Sequence, residues 1–118
     1  MLARIAGLIK RVQRIDESHL LRIDDLVVNT LSREVTLGGN LIHLSVKEFQ
    51  LLATLAAEPG RVFSKRELLE TVWDFRSPGR TRTLDSHASR LRQKLGEYSD
   101  EAWIVNIWGV GYRLHRPR

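Results

Sequence analysis

Between Leu20 and Leu44 apolar and polar residues exchange over short runs, the pattern of β-strands rather than helices. Leu21-Arg22-Ile23, Leu26-Val27-Val28, Glu34-Val35-Thr36-Leu37 and Leu41-Ile42-His43-Leu44 are the four runs, divided by Asp24-Asp25, by residues 29–33 and by Gly38-Gly39-Asn40. Two glycines between alternating runs predict a hairpin, because tight hairpin turns require a positive φ. The expectation is a small four-stranded antiparallel sheet.

The period then lengthens to that of helices. Ser45-Val46-Lys47-Glu48 reads as a capping box, with Leu44 and Phe49 placed as a hydrophobic staple. Ser64-Lys65-Arg66-Glu67 repeats the device, with Phe63 and Leu68 as its staple pair. The first helix should run to about Glu58 and bury Phe49, Leu52, Ala53 and Ala56, with Pro59-Gly60 ending it. The second should run from about Lys65 to Trp73 and bury Leu68, Leu69 and Val72. Pro78-Gly79 makes the stretch from Asp74 to Gly79 a loop, with Phe75 either tucked beneath it or offered to a partner.

A third helix follows, with Leu84, Ala88, Leu91 and Leu95 at i, i+4, i+7 and i+11 forming one apolar seam. Thr83, His87, Arg90 and Lys94 repeat that spacing on another strip, flanked by Arg82, Ser86 and Ser89. Alone, such a helix fits a solvated surface better than a binding face. Gly96 is positioned as its C-cap. Trp103 to Trp108, Gly109-Val110-Gly111 and Tyr112 to Leu114 then read as a β-hairpin. Asn106 and Trp108 share one face of its first arm, which leaves Trp108 in the core or in solvent. Met1 to Arg14 reads as a short basic amphipathic helix: the end of an upstream element, an adapter, a frayed tail or a membrane-surface segment. Its apolar face is short and lacks an aromatic anchor, which disfavours the membrane.

Length and charge sharpen this picture. The 118 residues suffice for one domain with a single core. The net charge of +5 is uneven. Residues 15–60 carry seven acidic and three basic side chains, whereas residues 61–95 carry nine basic and four acidic ones. Positive charge therefore gathers around the third helix, as a polyanion-binding surface requires. With no cysteine there is no disulfide, thiol nucleophile or Cys-bound metal, which suits an intracellular protein.

Catalysis finds no support. Asp85-Ser86-His87 contains the residue types of a hydrolase triad, but neighbours on a helix diverge by about 100° and cannot relay a proton. Histidines 19, 43, 87 and 115 show no metal-ligand spacing, and no glycine-rich phosphate loop is present. No enzyme, cofactor or metal is expected.

Four motifs in order resemble one family. Leu44-Ser45-Val46-Lys47-Glu48-Phe49-Gln50-Leu51-Leu52, Val62-Phe63-Ser64-Lys65-Arg66-Glu67-Leu68-Leu69, the stretch from Asp85 to Leu95, and Gly109-Val110-Gly111-Tyr112-Arg113 are similar to the OmpR/PhoB-type effector domain of bacterial two-component response regulators. The resemblance covers about residues 20–115. It implies an α+β winged helix-turn-helix with an N-terminal four-stranded antiparallel sheet, three helices and a C-terminal β-hairpin wing. Residues 20–118 would form this domain, and residues 1–19 a linker or the remnant of the last receiver-domain helix.

The implied function is sequence-specific binding of double-stranded DNA. The helix at about 82–95 would enter the major groove, and the wing at about 103–114 would lie near the minor groove. The resemblance brings Arg82, Ser86, His87, Ser89, Arg90 and Arg92 to bases or phosphates, with Arg80, Thr83 and Lys94 beside them. Arginine's planar fork can take guanine O6 and N7 together, and Arg90 at mid-face is the best-placed candidate for that. Trp73 would either reach a phosphate through its indole N–H or plug the core. Asn106, Trp108 and Tyr112 complete the set on the wing, where relatives often carry arginine at the position of Trp108. Implied partners are a direct-repeat operator, a second copy of the full-length protein, RNA polymerase through the 74–80 loop, and a sensor kinase acting on the receiver. The alternative reading is a winged-helix module whose basic face meets an acidic protein.

Overall fold

A computed structural model describes residues 19–73 and 81–115. The helix expected over 1–14, Phe75, the 74–80 loop and Arg80 lie outside these residues. The first sheet is an antiparallel meander of β1 (Leu20–Ile23), β2 (Leu26–Asn29), β3 (Glu34–Leu37) and β4 (Asn40–Ile42), in that spatial order. Leu26 pairs with Leu37, Val28 with Val35, and Val35 with Ile42, so the period of two puts all five on one buried face. Gly38 and Gly39 have φ of 60° and 86°, the left-handed pair that a two-residue hairpin turn needs. The fourth strand stops at Ile42, short of the expected Leu44, because the chain must turn to cap the next helix.

That helix, α1 (Val46–Ala56), carries the full capping box: the Ser45 hydroxyl accepts from the Glu48 N–H, and the Glu48 carboxylate accepts from the Ser45 N–H. It ends two residues before the expected Glu58, buries Leu51 and Leu55 besides the expected Phe49, Leu52 and Ala56, and leaves Ala53 half-buried against the core. The second box is only half formed. Ser64 accepts from the Glu67 N–H, but the Glu67 carboxylate meets the Arg61 guanidinium at 2.6 Å instead. Helix α2 (Lys65–Leu68) then widens into a π-helical turn over Leu69–Trp73, where the Val72 carbonyl accepts a 2.8 Å bond from Lys47 Nζ.

Phe63–Ser64 forms a short strand, β5, that the sequence reading missed. It joins the C-terminal hairpin of β6 (Ile104–Ile107) and β7 (Gly111–Leu114) in a three-stranded sheet ordered β5-β7-β6. Phe63 pairs with Tyr112 and Ser64 with Gly111, which anchors the hairpin to the start of α2. The third helix, α3 (Thr81–Gly96), rests its seam on this frame, with Leu84, Ala88, Leu91 and Leu95 all buried. Gly96 is the last helical residue and does not enter the left-handed region, so the expected glycine C-cap is corrected. Backbone bonds from Glu97 and Tyr98 back to Lys94 and Leu95 close the helix instead.

Two glycines should therefore respond in opposite senses to alanine. A Cβ at Gly111 would lie 1.9 Å from the Phe63 carbonyl oxygen, whereas one at Gly96 meets nothing within 4 Å. Gly111→Ala is expected to lower stability by about 1–3 kcal/mol, as overpacking does. Gly96→Ala should raise it by roughly 0.5–1 kcal/mol through helix propensity. Urea unfolding midpoints of the two variants test both signs.

Candidate nucleic-acid interface

With its seam buried, α3 must present the opposite side to solvent. Arg82, Ser89, Arg90 and Arg92 are exposed there, and Ser86 is half-buried. Arg82, Ser86, Ser89 and Arg90, with Asp85, line a shallow concavity of about 590 Å³ along the helix. No hydrogen bond or ion pair to the described residues engages the Arg82, Arg90 or Arg92 guanidinium, so each keeps its planar donor set for an external acceptor.

Lys94 and His87 of α3 instead engage neighbouring residues. Lys94 Nζ lies 2.6 Å from the Glu48 carboxylate, which is only 2% exposed. Burial, the largest single influence, would raise the Glu48 carboxyl. Hydrogen bonds from Lys94 and the Ser45 N–H, with the electrostatic influence of Lys94 and then His87, outweigh it and hold the group below its ordinary value. His87 Nδ1 lies 2.8 Å from the Thr83 carbonyl; a carbonyl only accepts, so Nδ1 carries the proton. The His87 ring also meets Trp73 edge-on at 5.1 Å between centroids. Trp73, itself half-buried, packs against the core.

Tyr112 is buried, and its hydroxyl donates to Asp85 Oδ1 at 2.7 Å. Burial and this carboxylate push the phenol up, so it stays a donor. Lys65 Nζ completes the cluster, 3.2 Å from the same oxygen and 5.9 Å from the centre of the Tyr112 ring. The start of α2, the second turn of α3 and the strand β7 thus meet at one carboxylate. Sequence reasoning did not place Asp85 or Lys65 in the candidate site, because the partners of Asp85 lie 20 and 27 positions away along the chain.

At the hairpin tip Trp108 is 92% exposed, which places the ring in solvent and not in the core. Trp103 is the tryptophan of this block that the core takes, at 2% exposure. Lys65, Asn106, Trp108 and Gly109 line a second concavity of about 340 Å³. Lys65 borders it on one side and pairs with Asp85 of the helix concavity on the other, so the two hollows adjoin. The thirteen residues expected from the sequence therefore divide three ways. Eight sit on the solvent side of α3 or on the wing tip, or half-buried next to them: Arg82, Thr83, Ser86, Ser89, Arg90, Arg92, Asn106 and Trp108. Trp73, His87, Lys94 and Tyr112 make the internal contacts just given, and Arg80 lies outside the described residues.

Comparison with known proteins places this arrangement among others. The family described as "Transcriptional regulatory protein, C terminal" matches residues 39–114. The heme response regulator HssR of Staphylococcus epidermidis is 36% identical over 114 residues, covering 97% of this chain and 50% of its own. The chain spans about half the length of the curated relatives it matches. The DNA-binding domain of CpxR from E. coli superposes with a TM-score of 0.75 at 32% identity, over 84% of this chain and 98% of that one. The DNA-binding domain of Klebsiella pneumoniae RstA, solved in complex with the RstA box, gives 0.73 at 29% identity, over 81% and 96%.

The Glu48–Lys94 pair has a pH signature. Because the Glu48 carboxyl is lowered in the folded state, its contribution is complete above the ordinary carboxylate value and is lost as pH falls through the lowered one. Lys94→Ala should reduce neutral-pH stability by about 1–3 kcal/mol by leaving a buried carboxylate short of its donor. The variant should also lose less further stability than the parent on acidification, as read by thermal melts across pH.

Proposed function

The chain belongs to the family of transcriptional regulatory protein C-terminal domains, and from that premise we propose that it is the sequence-specific double-stranded-DNA-binding effector domain of a response-regulator transcription factor. The observation that carries this reading is the exposed Arg82–Arg90–Arg92 face of α3, held outward by a fully buried leucine seam. A helix so mounted can enter a major groove about 12 Å wide, where arginine reads guanine. Arg90 lines the helix concavity at mid-face and is assigned to a base; Arg82, at the N-terminal end, is assigned to a phosphate. Serines 86 and 89 are short, so they meet a base edge only when the helix lies deep.

Residues 20–118 are assigned to this domain, and residues 1–19 to a linker or the last receiver helix of a longer regulator. In that longer protein a receiver domain would take the signal from a sensor kinase. Pairing of two copies would then set two effector domains on direct repeats, and the 74–80 loop would be the surface for RNA polymerase. The location that fits such a protein is the cytoplasm. Among the described residues no helix is long and apolar enough to cross a membrane. Regulation of transcription, not catalysis, is the activity the family supports.

Selection of bound sequences from a random duplex library, followed by mobility shifts over a salt series, tests the reading. The expected log Kd slope is about 0.9 per phosphate neutralised. Arg90→Ala should weaken the selected duplex by about 1–3 kcal/mol and relax preference at one base pair. An equal loss on selected and random duplex would make Arg90 a phosphate clamp only. Absence of any shift at low salt would transfer the basic face to an acidic protein partner.

A further inference from the structure

A tryptophan ring in water is unfavourable unless something covers it in use, and Trp108 is almost wholly uncovered at 92% exposure. A single exposed apolar residue would need no explanation, but this one has company and a rigid mount. Val110, two residues on, is 50% exposed. The tip backbone between them is fixed by the Val110 N–H bond to the Ile107 carbonyl at 2.9 Å. It is fixed again by the Lys65 N–H bond to the Val110 carbonyl at 3.2 Å. Gly109 takes φ 77°, the left-handed turn that leaves its neighbours projecting.

The chemistry around the ring limits what can sit on it. No acidic residue occurs from Ala102 to Arg118, and the concavity beneath the ring is lined by Lys65, Asn106, Trp108 and Gly109. The carboxylate that Lys65 of this wall contacts, Asp85, is already occupied by Lys65 and Tyr112. The occupant must therefore offer an apolar wall beside negative charge, in reach of a partner lying along α3. The deoxyribose edges of a duplex minor groove, next to the major groove that α3 would enter, have that character.

Resting on the DNA-binding reading above, we infer that Trp108 is a neutral aromatic wedge that enters the minor groove flanking the α3 site and selects that flank by its shape and pliability, not by charge. An arginine in such a groove is drawn to the strong negative potential of narrow A-tracts. A neutral ring gains nothing from that potential. It gains instead from a groove wide enough to admit it and from pyrimidine–purine steps that unstack readily. It also neutralises no phosphate, so its share of the affinity does not fall with salt. Lys65 is the adjacent cation that can meet the groove's phosphate rim.

The test uses the whole chain with its selected duplex. Three proteins are compared, the parent, Trp108→Ala and Trp108→Arg, over a salt series and on flanks that are A-tract or contain TA steps. Trp108→Ala should weaken binding roughly tenfold, the loss of one stacked contact, at unchanged salt slope and thermal stability. Trp108→Arg should steepen the slope by about 0.9 and shift preference from TA-containing to A-tract flanks. Replacing flanking guanine by hypoxanthine alters only the minor-groove edge, and should change binding by the parent but not by Trp108→Ala. The inference is overturned by equal affinity of parent and Trp108→Ala, by a fall in the variant's melting temperature, or by equal responses to hypoxanthine. A parent that binds selected and random duplexes alike would instead overturn the DNA-recognition reading, and this inference with it.

Discussion

The burial of one leucine seam governs the rest of this structure. Leu84, Leu91 and Leu95 each remove a side chain from water, worth about 1.5–3 kcal/mol apiece, and Ala88 between them lets α3 approach its neighbours closely. Rotating α3 by a quarter turn would expose that seam and bury guanidinium groups, which cannot lose hydration without partners. The outward direction of Arg82, Arg90 and Arg92 is thus a consequence of core packing. The frame that receives the seam is built beforehand in the chain, by the capped α1 and by α2 with its π-helical extension.

Electrostatics then sorts the polar side of the same helix. Glu48 is committed to the interior by its capping role on α1, and an interior carboxylate needs a cation. Lys94 supplies it and is drawn off the solvent face. His87 is similarly occupied by Thr83 and Trp73. What remains available to a partner is narrower than the full basic strip and richer in arginine, the side chain best suited to bidentate recognition.

The Asp85 carboxylate plays the corresponding part between helix and hairpin. It accepts from Tyr112 on β7 and pairs with Lys65 on α2, while β5 laces the start of α2 into the hairpin sheet. Helix and wing are therefore braced together by a charged node on one side and backbone pairing on the other. A duplex meeting α3 would meet the wing in a set relation to it. That relation gives the exposed Trp108 its place beside the helix concavity.

Much of this was legible along the chain, because it depends on neighbours in sequence. The Gly38-Gly39 hairpin, the Ser45 capping box, the α3 seam and the four-strand meander all follow from local backbone preference and from the periods of two and 3.6. The places where local reasoning fell short share one cause. The second capping box lost Glu67 to Arg61, β5 formed only because β7 lies alongside, and the basic strip was divided by Glu48, which is 46 positions from Lys94. The sequence by itself determined which elements form and which face of α3 is greasy. Tertiary structure alone decided which cations stay available and which tryptophan is left in solvent, since those outcomes turn on charges and surfaces brought together from distant parts of the chain.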